Sequence, residues 1–410
     1  MKQSAESTLF SAKSSSRGDH VSCLQHLVRP RRRLLSIGHS YCVALNRRLA
    51  HEMARVGAVE WEVSAVAPTF FHGELRPIPL EPFVGELCHL EPVSVHLSRY
   101  IHFMFYGGRL HEIIQHEWDL IHCWEEPYIL AGAQVAWWAP PKVPLVYVTA
   151  QNISKNYPSP FGSLERYVIQ RASGWVAFGY SIEKALLDRP FYSDRRRRVI
   201  PLGVDFEHFH PDLEPRKKVR ERLGWSDSGP AVVGFLGRFV REKGLEILTA
   251  ALDSLSCPWR ALIAGSGPLE QKLHRWASRY GDRVRVVTGV RHDQVPAYLN
   301  AMDILCVPSQ TTRRWREQFG RILIEGFACG VPVVASDSGE IPYVVADAGI
   351  VVGEKDQTGW AAAVAELLEN PDRRRELADR GIERAQSKFS WTIVARKHLE
   401  FFDEISSNAR

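Results

Sequence analysis

Residues 232–253 read VVGFLGRFVREKGLEILTAALD, and this stretch indicates the kind of fold that the chain adopts. Its first part, Val232–Leu236, is almost entirely apolar, as expected for a strand buried on both faces of a sheet. Gly237 and Gly244 then enclose a polar loop, and from Leu245 onward apolar residues recur at helical spacing. A buried strand followed by a loop and an amphipathic helix is the repeating unit of a parallel sheet covered by helices.

The same alternation extends in both directions from this stretch. Towards the carboxyl end, the sequence predicts strands at Ala261–Ala264, Val284–Val287, Ile304–Val307, Val331–Ala335 and Ile350–Val352. Towards the amino end, it predicts strands at Leu34–Ile37, Trp61–Ala67, Leu120–Cys123, Leu145–Thr149, Trp175–Phe178 and Val199–Leu202. A polar, proline-bearing stretch over 210–230 separates the two series, which predicts two domains.

The length supports this division, because 410 residues are too many for one hydrophobic core. We therefore expect an α/β protein with two Rossmann-like, doubly wound domains that face a central cleft. The predicted boundaries are 33–210 for the first domain and 211–390 for the second. Ligands should bind in the cleft, at the carboxyl ends of both sheets.

Charge is concentrated at the amino end of the chain. The whole sequence has 52 Lys and Arg and 47 Asp and Glu residues, and residues 1–33 alone hold seven basic and two acidic ones. A nucleic-acid-binding protein usually carries its basic excess on the folded domain, so no nucleic-acid partner is expected. We interpret 1–32 as a disordered basic arm. Together with the run Arg195–Arg198, this arm either contacts an anionic membrane surface or is a solvated tail without a role.

Other features of the composition favour a cytoplasmic protein. No apolar stretch is long enough to span a membrane, and the amino end lacks the apolar core of a secretory signal. The seven cysteines are scattered and odd in number, which is typical of reduced thiols. We expect a cytoplasmic location, with any peripheral membrane contact at the inner face.

Two cations stand on the loop that follows the strand Val232–Leu236. Arg238 offers a planar fork of N–H donors and Lys243 a mobile point charge, a combination that suits a diphosphate. The alternative is a solvated basic loop. The glycines on either side favour a ligand, because they let the backbone turn or approach one closely.

Two glutamates, Glu317 and Glu325, lie before and within a predicted helix over Arg321–Cys329. A carboxylate can accept two hydrogen bonds from vicinal hydroxyls such as those of ribose. The alternative is that Glu317 is only a helix-start acid and Glu325 a surface residue. Because the helix is otherwise apolar and burial of an unpartnered glutamate is costly, we favour a ligand-binding role.

Taken in order, these motifs resemble the nucleotide-sugar domain of the family 4 glycosyltransferases, which are retaining enzymes of the GT-B fold. The resemblance covers most of 199–353. It rests on Val199–Asp205, on the patterns G-R-x4-K-G and A-G-S-G-P-L, and above all on the two glutamates in E-x7-E. It implies that Arg238 and Lys243 bind the donor diphosphate, that Glu325 binds the ribose and that Glu317 binds the transferred sugar. Glu317, Arg238 and Lys243 would then form the catalytic set.

The resemblance has further implications for donor binding. The backbone of Phe319, Gly320 and Arg321 would line the sugar and phosphates, and Arg291 would lie near the base. Gly38 would let the first domain approach the phosphates. A carboxyl-terminal helix over 391–410 would pack back on the first domain and complete it.

The sequence departs from the family pattern at two places. Family members often have a catalytically important histidine beside a Glu-Pro pair in the first domain. Here Glu125 takes that place, before Glu126-Pro127, and His122 is the nearby histidine. We leave open whether either residue acts in catalysis. In the second domain, Tyr343 stands where the family usually has a glutamate.

The expected function is therefore retaining transfer of a sugar from a nucleoside diphosphate sugar to a hydroxyl acceptor, which could be a glycan, a lipid-linked molecule or a small molecule. No D-x-D motif is present to hold a divalent metal against a diphosphate, so we expect no metal and no other cofactor. One alternative is a nucleotide-sugar 2-epimerase, which would convert the donor without an acceptor. The other is a protein that binds a nucleotide sugar without catalysis.

Overall fold

The computed structural model of the chain describes residues 31–73, 77–189 and 191–407. Residues 1–30 of the predicted disordered arm, 1–32, lie outside these ranges. The arm was predicted too long, because Arg32 already belongs to the first strand, where it pairs with Asp403. Within them the chain forms two large parallel sheets, each with apolar clusters on both faces under its helices. The predicted fold, two Rossmann-like domains, is confirmed.

The first domain contains a parallel sheet of seven strands within the described residues, in the order β11-β10-β9-β8-β1-β2-β5. Its strands, with four short ones outside this sheet, are β1 Arg32–Ile37, β2 Trp61–Pro68, β3 Phe70–His72, β4 Pro77–Pro79, β5 His89–Val93, β6 Val95–His96, β7 Phe105–Tyr106, β8 Leu120–Cys123, β9 Leu145–Thr149, β10 Gly174–Ala177 and β11 Arg196–Val199. Its helices are α1 Ala44–Val56, α2 Arg109–Ile114, α3 Leu130–Trp138, α4 Phe161–Arg171 and α5 Tyr180–Leu187. The strand order reverses between β1 and β8, and ligands of such sheets bind beside this reversal.

The second domain has six described strands, all parallel, in the order β14-β13-β12-β15-β16-β17. They are β12 Val232–Arg238, β13 Arg260–Ser266, β14 Val284–Val287, β15 Ile304–Val307, β16 Val333–Ser336 and β17 Gly349–Val352. The helices are α6 Leu213–Arg222, α7 Leu245–Asp253, α8 Glu270–Ala277, α9 Val295–Asn300, α10 Arg321–Ala328, α11 Ile341–Val345, α12 Gln357–Glu369, α13 Pro371–Arg384 and α14 Trp391–Ser407. Here the order reverses between β12 and β15, which places the loops after these two strands at the expected ligand crevice.

The last helix, α14, belongs spatially to the first domain. Its apolar residues, including Val394 and Phe402, share one buried cluster with Leu49 and Met53 of α1. At its first residue, the Trp391 ring packs so closely on Gly203 that a Cβ on this glycine would lie 2.3 Å from ring atoms. The carboxyl-terminal segment therefore crosses from the second domain to the first.

Two stretches differ from the sequence-based expectation. The strand predicted at Val199–Leu202 instead spans Arg196–Val199, because β11 is an edge strand on which exposed arginines can alternate freely. The polar stretch 210–230, for which the sequence predicts no helix, contains α6. Arg220 fixes this helix to the second domain, since its guanidinium is buried and pairs with Asp303 at 2.7 Å.

None of the helices in the described ranges has the length and apolar composition needed to cross a lipid bilayer.

Candidate active site

The loops at the carboxyl ends of the two sheets meet across a cleft. Asn152, which follows β9, donates from Nδ2 to the carbonyl oxygen of Glu317 at 2.8 Å. Gln318 donates in the opposite direction to the carbonyl oxygen of Ala150 at 2.7 Å. These bonds bring the segment 316–321 of the second domain against the first domain, as expected for a shared ligand crevice.

Glu317 and Lys243 form an ion pair in this cleft. The Lys243 Nζ atom lies 2.6 Å from Oε2 of Glu317, and Oγ of Ser309 donates to the same oxygen at 2.7 Å. Lys243 also lies over the Trp315 ring, 5.1 Å from its centroid. The structure thus brings together two of the three residues predicted to be catalytic.

The backbone that carries Lys243 is held by a close approach between two loops. Lys243 ends a 3₁₀ turn, Arg241–Lys243, and Gly244 follows with a φ of +67°. A Cβ atom on Gly244 would lie only 1.7 Å from the carbonyl oxygen of Pro308, which follows β15. Only glycine fits this conformation and contact, so the loops after β12 and β15 can lie side by side.

Glu325 lies on α10. This helix begins directly after Gly320, which has a φ of +80°. The residue is 5% exposed, and in the described part of the chain its carboxylate accepts no hydrogen bond from the protein. Burial raises the pKa of Glu325 to about 7, and the charge of Arg321 opposes this only in part. A buried carboxylate without a protein partner is suited to hydroxyl groups of a ligand.

The other predicted donor-binding residues of the second domain lie at the rim or under the cleft. Arg238 is exposed at the end of β12. The Phe319 side chain packs in the core against Phe389, so this residue can offer only its backbone to a ligand. Arg321 donates from both terminal nitrogens to Oδ1 of Asn46 at 3.1 Å, which is a further contact between the domains.

Arg291 lies on the wall of a cavity of about 800 Å³ between the domains. Its guanidinium is exposed and pairs with Asp293 at 2.9 Å. Residues from both domains line the rest of this cavity, among them Arg48, Glu81, Asp205, His208 and His292. A nucleoside-sized group would fit here, and to bind it directly Arg291 would have to release Asp293.

In the first domain, Gly38 directly follows β1 at the strand reversal. Its backbone is extended, with a φ of −164°. A Cβ there would lie 2.9 Å from Cβ of Trp124, which follows β8. Glycine therefore allows the loops after β1 and β8 to approach each other closely.

The two residues left open by the sequence lie in different surroundings. His122 is fully buried, bonds Oγ of Ser36 through Nδ1 at 3.0 Å, and packs against Phe402 of α14. It therefore faces the core under α14, and burial keeps its pKa well below the ordinary value. Glu125 is also fully buried, but it points to the cleft side and binds His39.

His39 is a residue that motif analysis did not identify as functional. Oε2 of Glu125 lies 2.6 Å from Nδ1 of His39, and Oε1 accepts the backbone N–H of His39 at 2.6 Å. The hydroxyl of Tyr106 donates to the same Oε1. Burial alone would lower the pKa of His39, but the charge and hydrogen bond of Glu125 outweigh it and raise that pKa.

The register of β1 against β8 is the feature that would have revealed this pair. Ile37 of β1 pairs with Cys123 of β8, so His39 and Glu125 each lie two residues beyond paired positions. They are far apart in sequence, and no motif spacing could have joined them.

Glu340 forms another contact between the domains. Its carboxylate accepts the backbone N–H groups of Tyr180 and Ser181 at 2.8 and 2.7 Å, at the amino end of α5. Gly179 leaves the space for this contact, because a Cβ there would lie 2.0 Å from the Glu340 carboxyl carbon. Tyr343, which replaces the glutamate expected from the family pattern, packs on Tyr180 across the same boundary.

In the ranges that the structure describes, no group of three or more His, Cys, Asp or Glu side chains is arranged to hold a metal ion.

Comparison with known proteins identifies relatives. A family model described as glycosyl transferases group 1 matches residues 216–384. A D-inositol 3-phosphate glycosyltransferase of Salinispora tropica is 32% identical over 327 residues, which cover 72% of this chain and 65% of the relative. A GDP-mannose-dependent α-(1-6)-phosphatidylinositol monomannoside mannosyltransferase of Mycolicibacterium smegmatis is 37% identical over 201 residues, 47% of this chain and 52% of the relative. The chain thus spans less than two thirds of the length of these two proteins.

Further proteins named D-inositol 3-phosphate glycosyltransferase align over 68–72% of their own length at 31–32% identity. Among solved structures, Anabaena HepE in complex with UDP and glucose has a TM-score of 0.69 at 20% identity, and the match covers 91% of this chain and 100% of that chain. At this identity the match supports the two-domain fold alone.

Proposed function

The chain belongs to the group 1 glycosyl transferases, and from this premise we propose that it is a retaining enzyme, which moves a sugar from a nucleoside diphosphate sugar to a hydroxyl acceptor. The observation that carries the proposal is the set of Lys243, Glu317 and Glu325 at the strand reversal of the second domain. Two of these residues are ion-paired in the cleft, and the third is a buried carboxylate that accepts no hydrogen bond from the described part of the protein.

The proposed reaction breaks one bond and forms another on the same face of the sugar. The bond from the anomeric carbon to the β-phosphate oxygen breaks, and a bond from that carbon to the acceptor oxygen forms. The acceptor's proton passes to the departing phosphate, so the products are a glycoside and a nucleoside diphosphate. Because the acceptor attacks from the face that the diphosphate leaves, the configuration is retained in one displacement, and no covalent intermediate on a carboxylate is needed, unlike in retaining glycosidases.

The protein's contribution in this scheme is positioning and charge. Arg238, Lys243 and the free N–H groups at the amino end of α10 would stabilise the leaving diphosphate. Glu325 would bind the ribose hydroxyls and Glu317 the hydroxyls of the transferred sugar. Glu317 neutralises Lys243 in the absence of substrate. Donor binding would therefore require Lys243 to turn from Glu317 to the diphosphate. These cations take the place that a metal ion has in other transferases, so we propose a metal-independent reaction.

The donor and acceptor are best found by screening. The names of relatives point to GDP-mannose and to phosphate-bearing inositol acceptors, and HepE was solved with UDP and glucose. A donor that binds should raise the thermal unfolding midpoint by mass action. The anomeric configuration of the product, read from its NMR coupling constants, then tests retention. An inverted product would contradict the proposed stereochemistry.

The same assays separate the two alternatives. A nucleotide-sugar 2-epimerase would convert the donor in the absence of any acceptor. A binding protein would be stabilised by the nucleotide sugar yet show neither transfer nor hydrolysis with the whole acceptor panel. Neither alternative is supported by a specific contact in the structure.

We also propose that the protein works in the cytoplasm and reaches anionic membranes peripherally. Within the fold, Arg32 pairs with Asp403 at 2.7 Å and Arg197 with Glu183 at 2.9 Å, so part of the basic clusters is already neutralised. The attraction would therefore come mainly from basic residues before Arg31. Sedimentation with neutral and anionic vesicles should show salt-sensitive binding that a chain starting at Arg32 loses. Binding that ignores lipid charge would end the idea.

A further inference from the structure

His39 and Glu125 form a hydrogen-bonded pair at the strand reversal of the first domain. Glu125 is fully buried and holds His39 through both the ring Nδ1 and the backbone N–H. The ring also stacks on Phe71, with centroids 5.0 Å apart. The His39 side chain nevertheless keeps 26% of its surface exposed. A ring fixed on three sides presents its remaining nitrogen, Nε2, in one direction.

Contacts on both sides of this pair reach the donor-binding segment opposite. On one side, the carbonyl of Ser40 accepts from Nδ2 of Asn46, and Oδ1 of Asn46 accepts from Arg321 of α10. On the other side, Glu126 accepts the backbone N–H of Ala150, whose carbonyl binds Gln318. His39 therefore lies on the first-domain wall, facing the segment that carries Glu317 and the amino end of α10.

The groups on the two walls indicate what kind of ligand the gap between them would bind. His39 shares a carboxylate with Tyr106, and its ionisable neighbours are Glu125, Tyr106 and, further away, Glu126. These surroundings favour the protonated ring, whose Nε2–H is a donor. The opposite wall presents the backbone N–H groups at the amino end of α10 and the ammonium of Lys243, which is paired with Glu317. Because His39 is likewise paired with Glu125, each wall offers N–H donors rather than a net charge. Donors on both sides of the gap suit a ligand rich in acceptor oxygens, such as a diphosphate.

We propose that His39 is a further catalytic residue, which donates a hydrogen bond from Nε2 to the diphosphate of the donor as it leaves the sugar. This inference rests on the proposed function. Glu125 is the positioning residue, since it holds Nδ1–H and keeps the ring charged. The ring retains its proton throughout, and the acceptor's proton still passes to the departing phosphate. His39 thus adds a first-domain contact to a leaving group that the second domain binds from the other side.

The test compares His39→Gln and Glu125→Gln with the control His111→Gln. His111 lies on α2 and packs on Trp138, away from the cleft. His39→Gln replaces a charged donor by a neutral amide donor and should lower kcat/KM by about 10- to 100-fold. The control should keep wild-type activity. A decrease of less than threefold in His39→Gln would overturn the proposal.

The pH profile separates a catalytic role from a structural one. Activity that needs a charged His39 is present below its pKa and is lost as pH rises through it. Glu125 raises that pKa, so Glu125→Gln should move the alkaline limb of the kcat/KM profile to lower pH. An unmoved limb in a folded Glu125→Gln protein would overturn the proposal.

A measurement that does not depend on catalytic turnover distinguishes failure of this proposal from failure of the proposed function. The NMR titration of the His39 ring, assigned with His39→Gln, is measured in the full chain with and without GDP or UDP. A diphosphate beside Nε2 should raise the ring's pKa. If neither nucleotide binds, both proposals fail. If a nucleotide binds and leaves the His39 titration unchanged, only the role of His39 fails.

Discussion

Replacement of Glu325 by glutamine should make the unliganded protein more stable at alkaline pH while it weakens nucleotide binding. Burial raises the pKa of Glu325 from 4.5 to about 7. Each pKa unit corresponds to about 1.4 kcal/mol, so the ionised carboxylate costs the folded protein on the order of 3 kcal/mol above pH 7. Glutamine has the same shape and no charge, and it removes this cost.

The sign of the pH dependence follows from linkage. The folded pKa lies above the unfolded one, so between about pH 4.5 and 7 the native state holds more protons than the unfolded state. The wild-type contribution of Glu325 to stability therefore falls as pH rises through this window. The glutamine variant should match the wild type near pH 5 and exceed it by roughly 3 kcal/mol at pH 8.5.

Urea denaturation at pH 5, 7 and 8.5 measures the difference, and Glu383→Gln, an exposed change on α13, is the matched control. Isothermal titration with GDP or UDP should show binding that is weaker in Glu325→Gln by about 10- to 100-fold, since hydrogen bonds to a charged group are lost. Wild-type binding should strengthen between pH 6 and 8 and release a proton. A variant that is less stable than the wild type at pH 8.5 would show that the carboxylate has a stabilising partner, and would refute the reasoning.

Other changes test the remaining parts of the cleft. Lys243→Ala should lower kcat/KM by about 10²–10³-fold, while EDTA leaves wild-type transfer unchanged; the reverse pair of results in one transfer assay would contradict the metal-independent scheme. Glu317→Gln should lower kcat more than it changes the donor KM, because in its proposed role this carboxylate would bind the sugar, whose charge changes in the transition state; steady-state kinetics with one donor decide, and a pure KM effect speaks against the assignment. Glu340→Ala should open the cleft and increase the radius of gyration in small-angle X-ray scattering of the unliganded chain, and an unchanged value would mean that the other contacts suffice.

Much of the fold could be predicted because it depends on local pattern. Strands buried on both faces read as continuous apolar runs, and Leu145–Thr149 and Ile304–Val307 were predicted with the bounds that the structure has. Edge strand β11 was misplaced because its exposed face carries arginines, which give no apolar signal. Helix α6 was missed because its buried side includes Arg220, whose burial depends on a partner far along the chain, Asp303.

The site followed the same rule. Lys243, Glu317 and Glu325 lie within motifs, and residue types at fixed spacing suggest their chemistry. His39 was overlooked because its importance comes from Glu125, and only the register of β1 against β8 brings the two together. The direction of His122 was also beyond the sequence, since both faces of a buried strand are apolar and only the position of α14 shows which face it lies on.

Glu317 takes part in two sets of contacts at once. Its carboxylate pairs with Lys243, whereas its carbonyl oxygen accepts from Asn152 of the first domain and from the backbone N–H of Glu340, which itself binds α5. The position of the carboxylate that we propose binds the sugar is thus tied to whether the domains are together. If a donor enters while the cleft is open, Glu317 lacks its hydrogen bond from Asn152. It is then not held in the position that cleavage would need. In the proposed reaction, water would therefore reach the donor freely only while the cleft is open and cleavage of the bond to the sugar is slowest. Closure of the cleft would then limit hydrolysis of the donor before an acceptor binds.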